Sequence, residues 1–177
     1  VRSWMTNDAA SKLFKWAMLD LAVLKEQAKK RDFTPVTSST TLSLDLKSET
    51  KSFDSPNVIG MVEGSDKKLK NEYVIYTAHW DHLGIGEPNA KGDNIYNGAY
   101  DNASGVAAVL GIAEVIAKMP KKDRPKRSIV FLFPTAEEQG LLGAEYYSRF
   151  PVFPLNKTAA NINIDGVNFF GKVKDFM

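Results

Sequence analysis

The spacing of apolar positions changes period along the chain, and each change marks an element. Over residues 6–30, Leu13, Phe14, Ala17, Met18, Leu21, Leu24 and Ala28 recur at helical spacing. Thr6 can cap the start, and Asp20 can cap a second helix, so the stretch reads as one helix or as two shorter ones. Its polar face mixes acidic and basic residues, as expected of a helical segment within residues 1–35 packed on a core, not of a basic membrane-surface stripe. Residues 41–47 alternate strictly, with Leu42, Leu44 and Leu46 on one side and Ser43, Asp45 and Lys47 on the other, which predicts a half-buried strand. A second strand is expected over 57–62, paired with the first as an antiparallel hairpin across the polar loop 48–56.

Further on the pattern becomes that of buried strands alternating with helices. Residues 73–78 are an unbroken apolar run suited to a central strand covered on both faces. The Gly/Asn/Asp-rich loop 84–100 is longer than most connections, which favours a functional role. Asp101 or Asn102 is expected to cap a helix running to about Lys118, with Val106, Val109, Leu110, Ala113 and Ile116 on one face. Residues 128–133 (SIVFLF) read as a buried strand, 134–140 as a turn, 141–149 as a helix and 160–164 as a further strand. The order predicts an α/β fold: a three-layer α/β/α sandwich with a mixed, mostly parallel central sheet. One domain is expected to span 1–177.

Composition narrows the classes. With 177 residues and 44% apolar content the chain is long enough for one proper core. Lys plus Arg number 23 against 21 Asp plus Glu, so no nucleic-acid partner is expected; the basic run 118–127 reads as a solvated connector. The absence of cysteine removes disulfides, thiolate zinc sites and a cysteine nucleophile. No stretch reaches the roughly 18–20 apolar residues of a membrane span, and the N-terminal segment lacks the apolar stretch of a signal peptide.

The chemistry concentrates after the strands. His79 and Asp81 follow 73–78, Glu137 and Glu138 follow 128–133, and Asp165 follows 160–164; these are carboxyl ends, where open α/β sheets bind ligands. Asp101 joins them from the start of the intervening helix. So many carboxylates in one crevice are costly without a cation, and an imidazole–carboxylate set without thiolate favours Zn²⁺, with Mn²⁺ or Co²⁺ behind it. The adjacent pair Glu137 and Glu138 suits a division of labour, one binding metal and the other taking a proton from water, as metal-assisted hydrolysis requires. Ser104 lies in NASG and lacks the nucleophile elbow of a serine hydrolase. His82 reads as a surface or loop-packing residue. Tyr96, Tyr100, Phe169 and Phe170 divide between pocket lining and packing.

Four motifs, TAHWDHLG (77–84), GAYDNASG (98–105), TAEEQGLLGAEYY (135–147) and NIDG (163–166), resemble those of the di-zinc aminopeptidases. These exopeptidases include bacterial leucyl aminopeptidases, with glutamate carboxypeptidases and the non-enzymatic transferrin receptor as relatives. The resemblance implies a peptide substrate, with His79 and Asp165 on one zinc, Glu138 on the other, Asp101 bridging them, and Glu137 as general acid/base. It makes Asp81 the residue that orients His79 through its other ring nitrogen. It also implies a cis peptide at Asp101–Asn102, a periplasmic or extracellular location, and a further histidine for the second zinc beyond Met177. On that comparison the chain corresponds to the N-terminal part of a catalytic domain. Two rival functions share the architecture: a non-catalytic receptor or scaffold, and a single-zinc acyltransferase of the glutaminyl cyclase type.

Overall fold

The computed structural model describes residues 4–167, so Phe169 and Phe170 lie outside the described residues. The chain falls into two compact units, Val1–Lys51 and Ser52–Met177. In the first, the helical stretch is two helices, α1 (Asn7–Trp16) and α2 (Leu21–Ala28). Both expected caps form: Thr6 Oγ1 accepts the Ala9 N–H, and Asp20 Oδ1 accepts the N–H groups of Ala22 and Val23.

Residues 41–47 are not a strand. Among the described residues no ladder pairs them, and Leu42, Leu44 and Leu46 are exposed. Alternation states which side of a strand is apolar; it does not supply the neighbour whose backbone groups must complete the ladder. The expected partner segment does form β1 (Val58–Val62), but β1 is bonded antiparallel to a different segment, Ser128–Phe133.

The second unit is built on a four-stranded sheet in the order β1-β5-β2-β6, where β2 is Tyr73–Thr77, β5 is Ser128–Phe133 and β6 is Thr158–Asn163. β2 runs parallel to both β5 and β6, which makes the sheet mixed and mostly parallel. The long loop contains a small hairpin, β3 (Gly84–Ile85) with β4 (Ile95–Tyr96), which the polar composition concealed. Helix α3 (Gly105–Lys118) crosses between β2 and β5, and α4 (Leu142–Arg149) follows β5.

Every residue of β5 is buried, and its alternation sorts the core into two halves. Ile129, Phe131 and Phe133 pack with Val109 and Ile116 of α3; Val130 and Leu132 face the other way, with Ile75 and Tyr147 of α4. The sheet is therefore sandwiched between helices. On α3, Ile112 rather than Leu110 completes the apolar face, and Leu110 is exposed. At about 100° per residue, Leu110 sits a quarter-turn away from Val109, whereas Ile112 lies close to the line through Val109 and Ile116.

The basic run is occupied within the chain. Arg124 donates to the carbonyls of Ala117 and Met119 at the end of α3, Lys121 pairs with Glu63, and Arg127 pairs with Glu72. No helix among the described residues is long and apolar enough to cross a membrane.

Candidate metal centre

Three parallel strands end on the same side of the sheet, and each delivers a donor. His79 follows β2 and is 4% exposed. Its Nε2 lies 3.0 Å from Asp101 Oδ1, 3.4 Å from Asp165 Oδ1 and 3.9 Å from Glu137 Oε2. Despite these neighbours the buried Nε2 makes no hydrogen bond. A ring nitrogen surrounded by carboxylate oxygens but aimed at none of them is how a metal ligand is arranged. Donor separations of 3.0–3.4 Å match the edge of about 3.3 Å that four bonds of about 2.05 Å subtend in a tetrahedron.

The other ring nitrogen is held as expected, but by a different group. His79 Nδ1 is 3.0 Å from the main-chain carbonyl of Asp81, while the Asp81 carboxylate stands 3.7 Å away. That carboxylate is engaged elsewhere: Oδ1 accepts the Glu137 N–H at 3.0 Å and Oδ2 the Glu138 N–H at 3.4 Å. Asp81 thus orients His79 through its backbone and the two glutamates through its side chain. A side chain that short cannot fold back to its own neighbour's ring and also cross to the next strand end, and two N–H donors outcompete one.

Asp101 reaches the centre because the backbone is not helical there. Asp101 (φ −109°, ψ 96°) and Asn102 (φ −133°, ψ 36°) interrupt the winding before α3, and their peptide bond is cis. The helix therefore begins at Gly105 rather than at 101 or 102. Asn102, 2% exposed, is the organising residue. Its Oδ1 accepts the N–H groups of Gly105 at 3.0 Å and Gly166 at 3.1 Å, and its Nδ2 donates to the Ile164 carbonyl at 2.9 Å. One amide thus anchors the start of α3, sits next to Asp101, and grips both neighbours of Asp165.

A second group of donors shares Asp101. The ligand atoms of His82, Asp101 and Glu138 all lie within 4.8 Å of one another, as do those of His79, Asp101 and Asp165. His82 Nδ1 is 2.7 Å from Glu138 Oε1. The sequence reads His82 as a surface or loop-packing residue; the structure sets its imidazole against Glu138. Ser104 is committed to structure, its Oγ donating to the Tyr100 carbonyl and accepting the Val167 N–H. Tyr96 and Tyr100 are about half exposed, Tyr96 against Gly86 and Tyr100 against Gly166.

The electrostatics follow from this crowding. Burial pulls the His79 pKa down, but the Asp81 carbonyl and the carboxylates of Asp165, Glu137 and Asp101 outweigh it and hold the imidazole above its ordinary value. Glu137 is pushed up by burial and, after a lowering contribution from His79, by Glu138, Asp165 and Asp81. A carboxyl with raised proton affinity beside a metal-type donor set is suited to proton transfer. A crevice of about 320 Å³ opens beside it, lined by Thr77, His79, Thr135, Glu137, Asn163 and Asp165 among others.

Relatives are found for most of this region. The chain is 33% identical over 141 residues to aminopeptidase YwaD of Bacillus subtilis, covering 78% of this chain and 27% of the relative. It is 36% identical over 114 residues to aminopeptidase NAALADL1 of Mus musculus, covering 63% of this chain and 13% of that protein. A solved zinc aminopeptidase from Bacillus subtilis superposes with a TM-score of 0.47 at 32% identity, over 63% of this chain and 24% of the other. The chain thus spans well under a third of these relatives' length. The model of Peptidase family M28 matches residues 57–177, a stretch that holds every donor described above, and the chain belongs to that family.

Proposed function

We propose that this chain carries metal donors and the general base of a zinc-dependent exopeptidase, an aminopeptidase that removes N-terminal residues from peptides. The observation that carries the proposal is His79 Nε2, buried, without a hydrogen bond, and ringed by Asp101 and Asp165 with Glu137 beyond. The names of the relatives support the same reading.

His79, Asp101 and Asp165 would hold one ion, and Glu138 with Asp101 would face a second. Zinc bound there supplies Lewis-acid polarisation and acidifies water. The remaining work falls to the chain's own groups. Glu137 stands beside the donor set rather than in it, so its carboxylate accepts a proton from the attacking water and returns it to the leaving amine. Its raised proton affinity favours the first of these transfers, the acceptance of the water proton. Asp81 fixes the direction of Glu137 through the backbone N–H. The crevice beside Glu137 receives the peptide. A location outside the cytoplasm is part of the same proposal, and fractionation of the native host decides it.

The test is Glu137→Gln in the full-length protein. It retains zinc by elemental analysis and loses hydrolysis of an aminoacyl anilide by about 10²–10⁴-fold, the usual contribution of a general base. Residual activity within threefold of wild type would remove Glu137 from the mechanism. A wild-type protein without zinc at neutral pH would favour the scaffold reading instead.

A further inference from the structure

The sequence contains one Asn–Gly pair, Asn97–Gly98, and one Asp–Gly pair, Asp165–Gly166. The first leads into Asp101 and the second contains a candidate donor. In both, the glycine leaves the approach of its own backbone nitrogen to the preceding side-chain carbonyl unobstructed, since it carries no Cβ. We propose that Asn97 is a site of spontaneous covalent modification, losing its amide to give aspartyl and isoaspartyl forms, and that the conversion displaces Asp101. The chemical step is independent of the metallopeptidase reading; only its effect on metal rests on that reading.

The step needs water and nothing else. The Gly98 nitrogen gives its proton to solvent base and bonds to Asn97 Cγ. The Cγ–Nδ2 bond breaks, ammonia leaves, and a cyclic imide closes. Water then opens the ring on one of two sides. Breaking the bond between the ring nitrogen and Cγ leaves aspartate in an ordinary chain. Breaking the bond to the main-chain carbonyl carbon leaves isoaspartate, with Cβ now part of a main chain one methylene longer. Nothing is oxidised or reduced.

The structure separates the two pairs. Asn97 is exposed, and its amide is held by one long hydrogen bond, from Nδ2 to the Ile95 carbonyl at 3.4 Å. The Gly98 N–H makes no hydrogen bond among the described residues, so the nucleophile is available. At the second pair the nucleophile is occupied: the Gly166 N–H donates to Asn102 Oδ1 at 3.1 Å, and Asn102 is buried. Packing also fixes the reactive glycine. A Cβ on Gly98 would lie 2.7 Å from His82 Cβ and 2.9 Å from the Asp101 carbonyl oxygen, and Gly98 has φ +65°.

The same contacts carry the consequence to Asp101. The Gly98 carbonyl accepts the Ala103 N–H at 2.9 Å, which closes the turn holding Asp101 and Asn102. A methylene inserted before Gly98 pushes on a residue clamped against His82, Asp101 and Ala103. The new carboxylate also adds a negative charge to the segment entering a centre already crowded with carboxylates.

The experiment is ageing of the full-length protein in mildly alkaline heavy-oxygen water, followed by mass-spectrometric peptide mapping and by enzymatic methylation of isoaspartyl carboxylates. The peptide spanning Asn97–Gly98 gains heavy oxygen and the methyl label at a rate within about tenfold of the same peptide free in solution, as where local opening costs little. The peptide spanning Asp165–Gly166 stays unlabelled in the folded protein and becomes labelled in Asn102→Ala and in urea. The converted fraction loses Zn²⁺ affinity by about 10–100-fold, as for other groups that place a ligand. Asn97→Gln, which would have to close a larger ring, ages without loss. A slower folded-state rate at Asn97, or labelling of Asp165–Gly166 ahead of it, overturns the site. Conversion with unchanged Zn²⁺ affinity overturns the link to Asp101. A fresh wild type without zinc fails the metallopeptidase reading instead, and the mass and methyl labels still decide the modification.

Discussion

Replacing Asn102 with alanine removes one side chain and loosens two candidate metal donors, Asp101 and Asp165, that are 64 residues apart in sequence. Three hydrogen bonds are lost: Gly105 N–H and Gly166 N–H to Oδ1, and Nδ2 to the Ile164 carbonyl. Each is worth about 0.5–1.5 kcal/mol net. The site is buried, so the released backbone groups are partly cut off from water and the upper part of the range applies, giving a loss of about 3–4.5 kcal/mol. Urea unfolding of the metal-free protein, followed by far-ultraviolet circular dichroism, measures this directly. The local effect is larger than the global one implies. Ile164 and Gly166 flank Asp165, so their release frees that carboxylate from its position opposite His79, and Zn²⁺ affinity at the first site falls by about 10–100-fold. Asn102→Asp is the control. It keeps an acceptor for Gly105 and Gly166 but sets an oxygen against the Ile164 carbonyl, so it destabilises through one contact rather than three and adds a buried charge. A loss below 1 kcal/mol for Asn102→Ala together with unchanged zinc affinity would refute the argument that this amide builds the centre.

Three further outcomes follow from the geometry. Asp81→Ala lowers kcat by about 10–100-fold and leaves KM little changed, because the Glu137 and Glu138 N–H groups lose their acceptor while the His79 Nδ1 bond, made to the main chain, survives; equal loss of His79-site metal affinity would show that the carboxylate orients the ring after all. In the metal-free protein, the raised pKa of Glu137 means that the folded state holds its proton more tightly than the unfolded state, so its contribution is present below about pH 4.5 and is lost as pH rises through the folded value. The melting temperature of metal-free Glu137→Gln therefore matches wild type near pH 4 and exceeds it increasingly above that, and a gap that narrows with rising pH contradicts the sign. His79 acts in the same direction at higher pH, its stabilisation complete below its ordinary 6.5 and lost as pH climbs through its raised folded value, so the metal-free His79→Gln variant loses less stability than wild type between pH 6 and 8.

Much of the centre could be read from the chain because strand ends are where sequence and position are most tightly coupled. The apolar runs 73–78 and 128–133 fix two parallel neighbours, and residues just after them must emerge at one edge, which brings His79, Glu137 and Glu138 together. Other features depend on contacts that no local pattern encodes. Leu42, Leu44 and Leu46 alternate as a strand does, but a ladder is a property of two segments. The extended backbone at Asp101 moved the helix start to Gly105, and a capping residue was recognised there without the reach of Asn102 to Ile164. The contact of His82 with Glu138, 56 residues on, is likewise no local pattern. Leu110 and Ile112 differ only by a rotation around α3, and the sheet selects between them.

The segment after β5 closes on itself. Gly143 and Leu142 donate to the carbonyls of Thr135 and Ala136, and the Asn57 amide accepts from Thr135 N–H while donating to the Gly143 carbonyl. A Cβ on Gly143 would collide with Thr135 and Asn57, so α4 sits directly on the strand end. None of the groups in this clasp is a metal donor. On the proposed metal reading, a chelator would therefore remove nothing that holds Glu137 and Glu138 in place, and exchange of one divalent ion for another would need no folding step.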